Sequence, residues 1–474
     1  MKSKPSIFNL VLSITLIIGS PLFAQIKNTA QLPVFTVDAA QFPGPFRPLN
    51  SVNGGPSFRV GNSHDYSKYF ESFRPPLVRL HDARYCDEGT VDIHEIFPDF
   101  NADENDPSNY QFEKTDNYLK SIRKIGSDIF YRLGESIEHG FPKYYVNLPP
   151  DFDKWARICA HIVQHYNMGW ANGFKWNIYY WEIWNEPNIT SCWTGSMKQY
   201  CELYKQTAVT LKKLDPELKV GGPALAGPIF SPKGREFLDF CRENKVPLDF
   251  ISWHGYDSSP DKLLKQIEKS LATIKEYGFD DVETYVTEWN MVTSWQKNDP
   301  EKARESFSQT AGSPGAAFAV SVLAYLQNSK LDGAYYYSAY GGFFRLGFFD
   351  IFGVPKKPMY SFIAYNKLVE LGTRVAVTGN NRETGVGIIG AVNRKTGTTA
   401  VLLSNFEDKA TRFMLKMKNL PFKKQLLCTE YLIDDNHSLE WDREQVMNSS
   451  DFQIAVELPK STVRLIIFSS QPIK

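Results

Sequence analysis

Between about residues 45 and 365, β-prone apolar runs alternate with stretches whose apolar positions recur at helical spacing. The runs are PPLVRLHD (75–82), SDIFYRLG (127–134), NIYYWEIWNEP (177–187), LKVGGPALAG (218–227), LDFISWHGYD (248–257), ETYVTEWN (283–290) and LDGAYYYSAY (331–340). A weaker eighth is FRPLNSVNGG (46–55). Between them, DKWARICAHIVQHY (153–166), MKQYCELYKQTAVTLKKL (197–214) and SPDKLLKQIEKSLATIKEYG (259–278) read as amphipathic helices. Such repeated alternation predicts an α/β chain with a (β/α)8 TIM barrel over 42–368. The competing arrangement is an open doubly wound sheet. It is disfavoured because no glycine-rich phosphate loop follows the first strand.

After about residue 370 the period changes. TRVAVTG, GVGIIGAV, TTAVLLSNF, TRFMLKMKNL, QLLCTEYLI, FQIAVELP and TVRLIIFSS are short β-prone runs separated by turn residues, with no helical stretch among them. They predict a C-terminal β-sandwich over 369–474, to which QLPVFTVDAAQ (31–41) can add a strand. No low-complexity linker intervenes, so the two domains are expected to pack together. The N-terminus, MKSKPSIFNLVLSITLIIGSPLFAQ, has Lys2 and Lys4, an apolar run from Phe8 to Ile18, and small residues at Gly19, Ser20 and Ala24. This is the layout of a secretory signal peptide over 1–24, and it predicts a secreted or periplasmic protein. Leu22 is a poor fit to the cleavage motif, and a short membrane anchor is the alternative. No cysteine follows the run to carry a lipid, and no later stretch approaches the ~18 to 20 apolar residues of a membrane span.

Composition narrows the function. The chain has 474 residues, 42% of them hydrophobic and 14% aromatic, which suits a large core. Its 53 basic and 53 acidic residues balance, and no basic block stands out, so nucleic acid is not an expected partner. The aromatic content suits a sugar-binding cleft and a large core equally. Of six cysteines, Cys192 and Cys201 are near enough in sequence to pair, with free buried thiols as the default reading. The eight histidines are scattered, and HEIF (94–97) lacks the second histidine of a zinc helix, so no metal is expected. Nothing points to a nucleotide cofactor. The oligomeric state is not legible.

In such a barrel, functional groups sit at the C-terminal ends of the strands. YYWEIWNEPN (179–188) places two glutamates in an apolar run, where an ionised carboxylate is costly unless paired or used. Glu186 ends the fourth predicted strand and Glu288 the seventh. His81 and Asp82 follow the second strand, Glu135 the third, His254 and Tyr256 the sixth, and Tyr340 the eighth. Two carboxylates facing one pocket are the working parts of glycosidic bond hydrolysis. About 5 to 5.5 Å between them makes one a nucleophile and the other a general acid and base. Glu182 lies four residues deeper than Glu186, within reach of Arg79, and reads as structural. Alternation puts Asn185 opposite Glu186, so the strand must bulge or turn if both are to meet a substrate.

These motifs resemble a known family. WEIWNEPN with the later TEWN is similar to the glycoside hydrolases of clan A, and VRLHD, VGGPALAG, ISWHGYD and GAYYYS followed by GFFD resemble family 39, that of β-xylosidases and α-L-iduronidases. The resemblance implies that Glu186 is the acid/base and Glu288 the nucleophile of a retaining double displacement. It further implies that Asn185 meets the sugar 2-hydroxyl, that His81 and His254 contact sugar hydroxyls, and that Tyr256 lines the pocket. Trp289 is a candidate sugar platform, with packing as the alternative. Iduronidases carry a lysine where this chain has Tyr256, so a neutral pentose is expected here, although Arg345 could restore a charge. The expected activity is β-D-xylosidase on a glycoside or oligosaccharide, with α-L-arabinofuranosidase or a silent glycan-binding barrel as alternatives.

Overall fold

The computed structural model describes residues 32–58, 64–81, 89–295, 299–340, 346–379, 382–421 and 425–470. The expected signal segment over 1–24, Asp82, Cys86 and Arg345 lie outside the described residues.

Eight parallel strands close into a barrel in chain order: β1 (Ser51–Asn53), β2 (Leu77–Arg79), β3 (Asp128–Leu133), β4 (Tyr180–Ile183), β5 (Lys219–Leu225), β6 (Phe250–Asp257), β7 (Glu283–Met291) and β8 (Gly333–Tyr336). Each predicted run holds one strand. The helices between them are stopped and started by local chemistry. Ser196 and Gln199 form a reciprocal capping box at the head of Met197–Leu214. Asp151 accepts from the Lys154 N–H to cap Phe152–Asn167.

The barrel interior is layered. Phe130, Phe250, Tyr285 and Tyr335 form an aromatic floor, with Leu77 and Tyr180 against it. Above it the chain buries Asn53, Arg79, Arg132, Glu182, Ser252 and Thr287, a polar layer where a storage barrel would carry aliphatics. That change of chemistry partway up the barrel marks its upper end as the functional one.

The C-terminal strands make two sheets. One orders Ser438–Met447, Leu426–Ile433, Thr462–Ser469, Thr399–Asn405, Val386–Val392, Thr373–Arg374 and Gly44–Pro45. The other orders Ala376–Thr378, Val34–Asp38, Arg412–Lys418 and Phe452–Glu457. Val34–Asp38 runs parallel to Arg412–Lys418 and antiparallel to Ala376–Thr378. Phe35, Val37, Phe413, Leu415, Val401, Leu403, Ile466 and Phe468 fill the space between the sheets. Helix Ser313–Leu326 is apolar almost all round because it lies between barrel and sandwich. The Ser404 hydroxyl donates to the Ala317 carbonyl (2.7 Å) and the Tyr325 hydroxyl to the Val386 carbonyl (3.1 Å) across that junction. The five described cysteines are buried, and no disulfide joins Cys192 to Cys201. Among the described residues no helix is long and apolar enough to cross a membrane.

Candidate active site

Two departures from regular strand geometry build the site. At the end of β4, Trp184 and Glu186 adopt positive φ (70° and 47°), a conformation that side-chain-bearing residues rarely accept. The strand turns there, so Asn185 and Glu186, which alternation would send to opposite faces, both face the barrel axis. The Glu186 N–H donates to the Ala224 carbonyl (2.9 Å), which holds the turn against β5. On β7 the register with β6 slips: Val286 pairs with Trp253 and Glu288 with His254, leaving Thr287 between them. Tyr285 points into the barrel, so strict alternation would turn Glu288 outward. The extra residue brings it in.

The two carboxylates then face each other. One oxygen of each and a His254 ring nitrogen all lie within 4.8 Å of one another. Nδ1 of His254 is 2.7 Å from Oε1 of Glu186 and 3.4 Å from Oε2 of Glu288. The Glu186 side chain keeps 15% of its surface exposed and Glu288 5%, so Glu186 is the carboxylate nearer to solvent. His81 Nε2 is 3.4 Å from Glu288 Oε1, and the Tyr256 hydroxyl donates to Glu288 Oε2 at 2.6 Å. The structure thus gathers Glu186, Glu288, His81, Asn185, His254 and Tyr256 at one mouth.

Trp289 is corrected. The alternation that follows Glu288 turns its indole out of the barrel, where it is 1% exposed and packs against Phe318, Tyr336 and Phe362. It is a packing residue between the barrel wall and the helices, with no face open to a sugar.

Arg79 does more than the sequence suggested. It is fully buried, and its Nε donates to Glu182 Oε2 (2.6 Å), its Nη1 to Asn53 Oδ1 and Glu288 Oε1 (3.0 Å each), and its Nη2 to Asn185 Oδ1 (2.8 Å). The planar fork therefore fixes the nucleophile candidate and the neighbouring amide in one frame. The signal was present: Arg79 shares inward parity with His81 at the end of the same strand. Cys192 was also missed as a site residue. Its thiol receives the Asn185 amide (3.9 Å) and donates to Glu186 Oε2 (3.7 Å), joining the two residues that the β4 turn brings round. Nothing in its sequence position announces this, because the loop after β4 must fold back before Cys192 meets Glu186.

Electrostatics follow burial. Desolvation raises both glutamates to about 7, while the Arg79 charge opposes the rise in each. Glu288 is further lowered by the Tyr256 hydroxyl and raised by the Glu186 charge. Burial lowers His254 to about 4 and pushes His81 well below the usual imidazole range, helped by Arg79, so both rings are neutral at pH 7.

A second buried group of possible ligand atoms, Asp92, His94 and Glu135, lies beside the site. In both groups an arginine already bonds a carboxylate: Arg79 at Glu288 (3.0 Å) and Arg132 at Asp92 (2.8 Å). The positive charge a metal would bring is supplied in each case by a guanidinium. Glu135, expected at the pocket rim, instead holds the His94 ring at 2.5 Å. Tyr340 is buried and donates to the Tyr337 hydroxyl at 2.8 Å, part of an apolar wall beside Tyr256.

Comparison with known proteins agrees with this geometry. The profile of glycosyl hydrolases family 39 matches residues 82–365. The chain belongs to that family. The chain is 33% identical over 176 residues to a β-xylosidase of Geobacillus stearothermophilus, covering 33% of this chain and 34% of that one. It is 26% identical over 319 residues to a β-xylosidase of Caldicellulosiruptor saccharolyticus, covering 60% of this chain and 62% of that one. The matched stretches therefore span less than two thirds of either relative. A solved glucosidase from Croceicoccus marinus superposes with a TM-score of 0.79 at 23% identity, over 93% of this chain and 100% of that one, and shares the fold of this family 39 protein.

Proposed function

We propose that this protein is a retaining glycosidase that releases terminal β-D-xylose by double displacement. The observation that carries the reading is the Glu186–Glu288 pair, with one carboxylate oxygen of each within 4.8 Å of the other's at the barrel mouth. So short a gap supports retention, because an inverting pair stands farther apart to admit a water.

Which carboxylate plays which part follows from their neighbours. Both cannot ionise cheaply at that separation, so the first to lose its proton holds the other up. Glu288 receives a guanidinium N–H and a phenol O–H, whereas Glu186 has a thiol and a neutral imidazole. Glu288 is the better-stabilised anion, so it attacks the anomeric carbon. Glu186 keeps its proton, gives it to the leaving oxygen, and then takes one from the water that hydrolyses the glycosyl intermediate. Asn185 has its carbonyl oxygen tied to Arg79 and one amide N–H on the Cys192 thiol, which leaves the second amide N–H to donate toward the 2-hydroxyl. Xylose is favoured because the two relatives described above are named β-xylosidase and because Tyr256, a neutral group, stands where a uronic acid would want a cation.

A panel of 4-nitrophenyl glycosides tests the sugar: the β-D-xyloside should give the highest kcat/KM, above the α-L-arabinofuranoside and the β-D-glucoside. Proton NMR of the first-formed product should show the β anomer. A first-formed α anomer contradicts the double displacement.

Glu186→Ala separates the two roles. A general acid contributes roughly 10² to 10⁴-fold, and matters most where the leaving oxygen is basic. Hydrolysis of xylobiose should fall by that order, while a 2,4-dinitrophenyl xyloside should lose far less in its first step. Equal losses on both substrates would remove Glu186 from the acid role.

A further inference from the structure

The loop from Gly134 to Pro150, which leaves the top of β3, carries three exposed aromatic rings within five residues: Phe141 (83% exposed), Tyr144 (68%) and Tyr145 (40%). Large rings grouped on a surface mark a contact site. Here the loop is also held in shape. Oε2 of Glu138 accepts three successive backbone N–H groups, those of Tyr144, Tyr145 and Val146, at 3.2, 2.9 and 3.0 Å. The Tyr145 ring stacks on His94 at 3.5 Å and 9°, and His94 is fixed by Glu135. One Tyr145 face is thus covered by a positioned imidazole, while the residue keeps 40% of its surface exposed.

The position of the loop says what it meets. It is stapled to the loop after β4: the Glu138 N–H donates to the Ser191 carbonyl (2.9 Å), the Thr194 N–H to the Val146 carbonyl (3.0 Å), and the Thr194 hydroxyl to Asn147 Oδ1 (3.0 Å). Ser191 adjoins Cys192, whose thiol touches Glu186. The loop that carries the rings is therefore joined to the acid/base side of the mouth. A leaving group must lie on that side, because its oxygen takes the Glu186 proton while Glu288 attacks from the opposite face.

We propose that Phe141, Tyr144 and Tyr145 form a subsite for the leaving-group sugars of a carbohydrate chain, resting on the reading of the site as a β-xylosidase. Sugar rings offer C–H faces that stack on aromatic rings, and the tyrosine hydroxyls supply hydrogen-bond partners at the edge. A ring-rich, rigid platform costs little conformational entropy on binding. The substrate class is then an oligosaccharide extending past the cleaved residue, rather than a glycoside with a small alcohol as leaving group.

The test compares kcat/KM for methyl β-D-xyloside, whose leaving group has no ring, with xylobiose, xylotriose and xylotetraose. In the unmodified enzyme the value should rise with length. In Tyr144→Ala and in the double variant Phe141→Ala/Tyr144→Ala, the ratio of xylotetraose to methyl xyloside should fall by roughly tenfold, the effect of uncovering about one ring face. Both positions are exposed, so the fold should survive, and a thermal midpoint near that of the parent checks it. A ratio equal to the parent's in both variants overturns the subsite. So does a parent enzyme indifferent to length, or a shift in oligomeric state with an unchanged ratio, which would assign the rings to a second copy of this chain. Failure of the xylosidase reading shows separately, as no hydrolysis of methyl or 4-nitrophenyl β-D-xyloside. The length series is then run with oligosaccharides of whichever sugar the aryl panel selects, and the same ratio decides.

Discussion

Glu288→Ala should lower kcat by something on the order of 10⁵-fold, the scale seen when a nucleophile is removed from a site that keeps its other groups. The loss should be repaired in part by azide. The substitution empties the space that a carboxylate occupied between Arg79, His81 and Tyr256, all within 3.4 Å of its oxygens. A small linear anion fits there and meets the same guanidinium and phenol donors. It would attack the anomeric carbon from the face that Glu288 used, so a β-xyloside with a good leaving group should yield the α-xylosyl azide. NMR of that product reads both the rescue and the geometry. Activity close to that of the parent enzyme would remove Glu288 from the nucleophile role, and a β-azide would put the attacking anion on the Glu186 side.

The barrel was legible because its signal is redundant. Each β-prone run carries its own apolar residues, and closure in chain order follows from alternation with helices. The functional end was legible for the same reason, since polar residues at the ends of several runs converge only if the barrel closes. Residues whose placement depends on a break in regular geometry were harder. That Asn185 and Glu186 share the pocket required a turn the pattern could demand but not draw, and positive φ at Trp184 and Glu186 provides it. Glu288 reaches the pocket through the register slip at Thr287, and the same slip sends Trp289 outward. An aromatic next to a catalytic carboxylate can serve sugar or core, and only the phase of the strand decides between them. The contacts of Cys192 and of the Phe141–Tyr145 rings depend on long loops, whose paths no periodicity encodes.

Arg79 is where fold and site meet, and its replacement should report on both. Its guanidinium joins Glu182 below, Asn53 and Asn185 beside it, and Glu288 above, with no solvent contact. Arg79→Met keeps much of the volume and removes the charge, leaving two buried carboxylates without their shared cation. Removing one partner of a buried ion pair costs about 3 to 5 kcal/mol. The thermal midpoint should therefore drop by several degrees. The pH profile should move as well, and its direction is fixed. The Arg79 charge lowers the pKa of both Glu186 and Glu288, so its loss raises both. Activity needs the nucleophile ionised, so the acid limb of kcat/KM moves to higher pH. It also needs the acid protonated, so the alkaline limb moves the same way. The whole bell shifts upward from its position around pH 7, with a lower peak because Asn185 loses its fixed orientation. Arg79→Lys retains the charge but not the planar fork, so it should lie between the two in peak height and shift the limbs least. An Arg79→Met enzyme with the parent's midpoint and unmoved limbs would show that the buried guanidinium neither supports the barrel nor sets the charge of its carboxylates.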